Sequence, residues 1–136
     1  MKNIWGALAL WLALPLTAQS QQQNLELGAW RAHVSHSSGL DLVAKDGLIY
    51  TATTGGLFSF RPDNQEIEVF STVDGMSDVS PTSIYFARDR NEIYLGYEDG
   101  SIDYFENTDN FQYLTDIART TTFPDKRINT FHAFGN

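Results

Sequence analysis

The sequence predicts an all-β fold: a partial β-propeller of two four-stranded antiparallel blades and the start of a third, behind an N-terminal signal peptide. Three observations carry that prediction. The chain matches itself at an offset of 44 residues, turn-forming dipeptides recur in each copy, and the second strand of each copy is apolar at consecutive positions.

The self-match is plainest where Ile49 to Phe60, IYTATTGGLFSF, aligns with Ile93 to Tyr104, IYLGYEDGSIDY. The same shift sets Leu40 on Ile84, Leu42 on Phe86, Gly56 on Gly100, Phe58 on Ile102, Phe60 on Tyr104, Ile67 on Phe111 and Val69 on Tyr113. A repeat of this length, built of several short strands, is the signature of propeller blades. Blade 1 is expected over about 40–71, with strands at 40–44, 48–53, 57–61 and 66–71. Blade 2 is expected over about 83–115, with strands at 83–88, 92–97, 101–106 and 111–115.

The turns fit this division. Asp46-Gly47 suits a two-residue type I′ hairpin, which needs positive φ at both central positions, and Gly55-Gly56 and Asp99-Gly100 suggest the same device between second and third strands. Arg61-Pro62-Asp63-Asn64 suits the third turn, because proline presets φ and Asp or Asn tolerates bends. Third strands alternate apolar and polar, whereas Leu48-Ile49-Tyr50 and Ile93-Tyr94-Leu95 do not. Consecutive apolar positions imply burial on both faces. A blade sandwiched between neighbours meets that condition.

A third unit starts from Ile128, at Ile128-Asn129-Thr130-Phe131, and the sequence ends where its first hairpin would turn. Propellers have about 4 to 8 blades, so closure would take at least roughly 160–180 residues. The expectation is the incomplete N-terminal propeller, over 27–136, of a longer protein.

The chain opens with Met1-Lys2-Asn3, an apolar run from Ile4 to Leu16, and the small residues Thr17-Ala18-Gln19-Ser20. That layout is a secretory signal peptide over 1–20. About 13 apolar residues are too few for a span that needs roughly 20, so no transmembrane segment is expected. Residues 21–26 read as a disordered polar linker. The absence of cysteine excludes a disulfide framework, thiolate metal sites and a cysteine nucleophile. A formal charge of −8 with interspersed signs argues against nucleic acid binding.

Several side chains could suggest chemistry, and each has a plainer reading. His33 and His36 are spaced as a helical metal pair, but they sit in strand or loop, where i and i+3 face opposite ways, and His132 has no visible link to them. Asp74-Gly75-Met76-Ser77-Asp78 lacks the alternation of a calcium loop and reads as a capped turn. Ser35, Ser37 and Ser38 lie near the histidines without an orienting acid, and Glu66 and Glu68 suit the solvated outer edge of a blade. The aromatics Tyr50, Phe58, Phe60, Tyr94, Tyr97 and Tyr104 read as inter-blade core. No catalytic, cofactor-binding or metal residue is assigned, no cofactor is expected, and no enzyme activity is expected.

Taken together, Trp30-Arg31 after a signal peptide, the strand pair from Ile49-Tyr50 to Gly56-Leu57-Phe58, and Thr72 to Val79, TVDGMSDV, resemble the N-terminal propeller of PorZ-like proteins of the type IX secretion system. The resemblance covers nearly all of 27–136. It implies an exported protein, at the outer-membrane cell surface or in the periplasm, acting as a non-catalytic adaptor. The implied partners are other secretion-system proteins, notably a sortase attachment complex, and anionic lipopolysaccharide. It also implies further blades, a second propeller and a C-terminal β-sandwich, and it carries over no binding residue. Similar blade repeats occur in extracytoplasmic sensory propellers of hybrid two-component regulators, which is the alternative function.

Overall fold

The computed structural model describes residues 35–134. The expected signal peptide and linker, the Trp30 segment and His33 lie outside those residues. Eight strands form two four-stranded antiparallel meanders. The first comprises β1 (Gly39–Lys45), β2 (Leu48–Thr53), β3 (Gly56–Arg61) and β4 (Glu66–Phe70). The second comprises β5 (Ser83–Ala87), β6 (Glu92–Gly96), β7 (Ile102–Phe105) and β8 (Gln112–Leu114). The fold is all-β, a partial propeller.

Cross-strand register refines the 44-residue offset. Tyr50 pairs with Val43 and Ser59, and Tyr94 pairs with Tyr85 and Tyr104. The offset is therefore 44 for the second strands but 42 for the first and 45 for the third. For the fourth strands it returns to 44, because Phe58 pairs with Val69 and Asp103 with Tyr113. The expected equivalences of Leu40 with Ile84, Leu42 with Phe86, Phe58 with Ile102 and Phe60 with Tyr104 are corrected accordingly. Leu42 corresponds to Ile84, and Phe60 to Phe105.

Loop length causes these slips. The first hairpin turns through Asp46-Gly47, both at positive φ as type I′ requires, whereas its counterpart uses the four residues 88–91. The second hairpin of the first sheet turns through Thr54-Gly55, because Gly56 pairs with Thr53 and belongs to β3. Gly55-Gly56 is thus not a central turn pair. Its counterpart is a three-residue loop, Glu98-Asp99-Gly100, closed by Tyr97 N–H donating to the Ser101 carbonyl at 3.1 Å, with Gly100 at φ 87°.

The sheets stack face to face, with β1 against β5. Tyr50 meets Phe105 at a ring distance of 5.8 Å, and Phe70 meets Phe111 at 6.2 Å. Ala52, Leu57, Ile93, Leu95 and Tyr97 complete a buried core between the sheets. Burial on both faces does not hold equally for the two sheets. Ile93 is fully buried at 0% exposure, yet its counterpart Ile49 is only half-buried. The reason is position: the β6 face bearing Ile93 is covered by the first sheet, whereas the face bearing Ile49 is turned away from the second.

The connection from β4 to β5 begins with a 3₁₀ turn at Thr72–Asp74, held by a capping box between Ser71 and Asp74. After β8 comes a short helix, α1 (Asp116–Arg119), which the sequence reading lacked. No strand is formed over 128–134, where the third unit was expected to begin. Ile128 is nonetheless fixed to the second sheet: its N–H donates to the Tyr97 carbonyl at 3.0 Å, and its carbonyl accepts from Thr82 Oγ1 at 2.7 Å and Ser83 Oγ at 3.0 Å. Gly96 makes room for that contact, since a Cβ there would overlap the Ile128 side chain and lie 2.7 Å from Ser83 Oγ. Gly96→Ala is expected to cost about 1–3 kcal/mol by overpacking. Equilibrium urea unfolding checks it, and an unchanged midpoint would show that Ile128 does not seat there.

Candidate functional site

The most ordered polar constellation lies between the sheets, around Asp103 on β7. Its carboxylate is wholly buried, at 0% exposure. Oδ2 accepts from the Tyr97 hydroxyl at 2.5 Å and from Ser77 N–H at 2.8 Å, while Oδ1 accepts from Ser77 Oγ at 2.5 Å. Ser77 belongs to the connection between the sheets, so the carboxylate ties that connection to the second sheet. A buried charge is tolerated only when hydrogen bonds replace its hydration. Three donors do so here. The node leaves no open position for a substrate, and its chemistry is structural.

Tyr97 titrates abnormally. Burial, then the neighbouring Asp103 charge, pushes its phenol far above the usual value of 10.0. The folded state therefore holds the phenol neutral where the unfolded chain would ionise it. Its stabilising contribution is complete below about pH 10 and is lost as pH rises towards the folded value, by about 1.4 kcal/mol per pH unit. The expected result is a steep alkaline fall in the urea midpoint that becomes shallower in Tyr97→Phe. Equal slopes in both proteins would contradict it.

A second buried group is Lys45, 7% exposed at the end of β1. Its Nζ donates to the Glu106 carbonyl at 2.8 Å and pairs with Asp46 Oδ2 at 2.7 Å, joining the first sheet to the end of β7. Sequence reasoning missed both Lys45 and Asp103. The available signal was a lone charged residue at a strand position flanked by apolar ones, as in Ile102-Asp103-Tyr104-Phe105.

The candidates singled out by sequence are dispersed. His36 Nδ1 lies 2.9 Å from Thr53 Oγ1, with its ring edge on Phe58. Thr53 Oγ1 donates its proton to the Gly56 carbonyl, so Nδ1 is the donor to Thr53. His36 Nε2 is buried and unpaired among the described residues. His132 lies in a separate cleft with Tyr85, Arg90, Tyr94 and Phe131. Among the described residues no three His, Asp or Glu side chains gather as metal ligands.

Ser35 bonds Ser37, and the Ser38 carbonyl accepts from Thr54 N–H. Asp74 is spent on its capping box, and Asp78 accepts from Val79 N–H. Glu66 and Glu68 are exposed on β4, where Glu66 lies 3.7 Å from Arg61. Of the aromatics, Tyr50 and Tyr97 are buried between the sheets. Phe58, Phe60, Tyr94 and Tyr104 are half-buried on the two outward faces, the last two stacked at 5.6 Å. Among the described residues, no helix is long and apolar enough to cross a membrane.

Comparison with known proteins agrees with this architecture. No curated protein matches the chain. A solved structure of PorZ, described as an essential bacterial surface component of the type-IX secretion system of human oral-microbiomic Porphyromonas gingivalis, is similar in fold, with a TM-score of 0.71 at 21% identity. The match covers 80% of this chain but 15% of that one. The family model described as the TSS9 PorZ N-terminal beta-propeller domain matches residues 49–136. With two stacked four-stranded blades and that match over most of its length, the chain belongs to the PorZ N-terminal β-propeller family of type IX secretion components.

Proposed function

We propose that these blades belong to a non-catalytic adaptor of a type IX-like secretion system, exported to the cell surface, where the propeller binds a partner protein. Family membership over residues 49–136 is the observation that carries this reading. The signal-peptide layout of residues 1–20 supports export. The buried polar groups support a scaffold, because Asp103 and Lys45 are both consumed by internal contacts. With a formal charge of −8, the chain would repel anionic lipopolysaccharide, so a protein of the sortase attachment complex is the favoured partner over the lipid.

Deleting the gene in its host and following the exported cargo tests the proposal. The expected result is cargo left unprocessed or unattached in the deletion strain, and an adaptor accessible to protease on intact cells of the parent strain. Normal cargo attachment in the deletion strain would overturn it.

A further inference from the structure

We propose that the end of the blades carrying the two connections, 71–82 and 115–127, is a docking surface for a basic, apolar segment of a partner protein. The inference rests on the reading of these blades as a binding module and adds to it a face and a partner chemistry. Both connections leave their sheets at the end where β2 turns into β3 and β6 into β7. Contacts hold them there: Ser80 Oγ donates to the Thr54 carbonyl at 2.8 Å, and Ile128 N–H to the Tyr97 carbonyl at 3.0 Å. In these connections the 44-residue offset sets Val73 on Ile117 and Val79 on Phe123. All four are exposed, Val73 at 64% and Phe123 at 60%. Exposed apolar residues scattered singly are ordinary. The same two positions exposed in both repeats, at one end of the molecule, form a patch that marks an interaction site.

Both connections are anchored. In the first, Met76 and Pro81 are buried, and Ser77 N–H donates to the Asp103 carboxylate at 2.8 Å. In the second, Lys126 Nζ donates to the Ala118 carbonyl at 2.6 Å. Gly100 admits that connection so closely that a Cβ there would lie 2.9 Å from both Ile117 and Lys126. Apolar side chains held out on fixed loops need little further ordering when a partner binds. Charge then selects the occupant. The exposed carboxylates of Asp78, Glu98, Asp99, Asp116 and Asp125 share this end. Its cations do not balance them: Lys126 is tied to Ala118, Arg127 lies 4.0 Å from Glu98, and Arg119 shares α1 with Asp116. Such a face repels an anionic lipid surface and a second copy of this chain, whose formal charge is −8. It complements lysine or arginine interleaved with apolar residues.

Heteronuclear NMR of the isotope-labelled protein tests the face, with a short alternating lysine–leucine peptide as probe and its glutamate–leucine counterpart as control. Shifts induced by the lysine peptide are expected to gather at 73–79, 98–99 and 116–125, and binding should weaken as salt rises. Val73→Ser and Phe123→Ser should each lower the affinity at least about fivefold. Tyr113→Ser, at an exposed position on β8, should leave it unchanged. No binding of the lysine peptide, equal binding of the glutamate peptide, or an equal loss in Tyr113→Ser would overturn the inference. A negative result here beside lost cargo attachment in the deletion strain would sink the face alone, whereas normal attachment would sink the secretion role.

Discussion

Asp103→Ala is expected to destabilise the protein by about 3–5 kcal/mol, because three buried donors lose their shared acceptor. The change strands the Tyr97 hydroxyl, the Ser77 hydroxyl and the Ser77 N–H in a site closed to water. Each orphaned polar group costs about 1–3 kcal/mol. Asp103→Asn should be milder, at about 1–2 kcal/mol. Its amide oxygen can keep the Oδ2 role towards Ser77 N–H and Tyr97, while its NH₂ faces the Ser77 hydroxyl, which can rotate to accept. Equilibrium urea unfolding of the three proteins checks the order. A loss in Asp103→Ala no larger than that in Asp103→Asn would show that the carboxylate does not hold the connection in place.

The second large effect compares two isoleucines at one repeat position. Ile93→Ala is expected to cost about 2–5 kcal/mol, since it empties a fully packed site between the sheets. Ile49→Ala should cost about 1 kcal/mol or less, because its side chain is already half in water and its neighbours can relax into the gap. Sequence makes the two residues equivalent, and stacking order makes them unequal. The difference between the two losses measures the cover that the first sheet gives the second. Equal losses would mean that the two sheets do not stack in this order.

The strands were legible because their signals are local. Ile49-Tyr50 and Ile93-Tyr94 sit at the same point of their sheets, and Asp46-Gly47 forms the type I′ turn that its residue types demand. Loops were less legible. A shift by one or two residues still places apolar on apolar, so the four-residue 88–91 turn and the three-residue 98–100 loop were hidden inside one average offset. The polar node was only faintly legible, as a lone acid among the apolar residues of Ile102-Asp103-Tyr104-Phe105. Asp103 reads as the wet side of an alternating strand until the first sheet covers it, and Lys45 reads as a turn-flanking cation until it reaches Glu106. A non-local contact decides both, and no spacing in the sequence encodes it. The expectation of no enzyme activity rested on motif patterns alone.

The account stands on two repeats forming consecutive blades, stacked so that the first covers the Ile93 face of the second while its own equivalent face, bearing Ile49, is turned away. A crystal structure of the protein with resolved side chains tests this directly. The predicted map superposes residues 48–53 on 92–97 and 66–70 on 110–114, with the Tyr50 ring against Phe105 and Ile93 sealed between the sheets. A map with the sheets apart, or with Ile93 facing solvent, would contradict it.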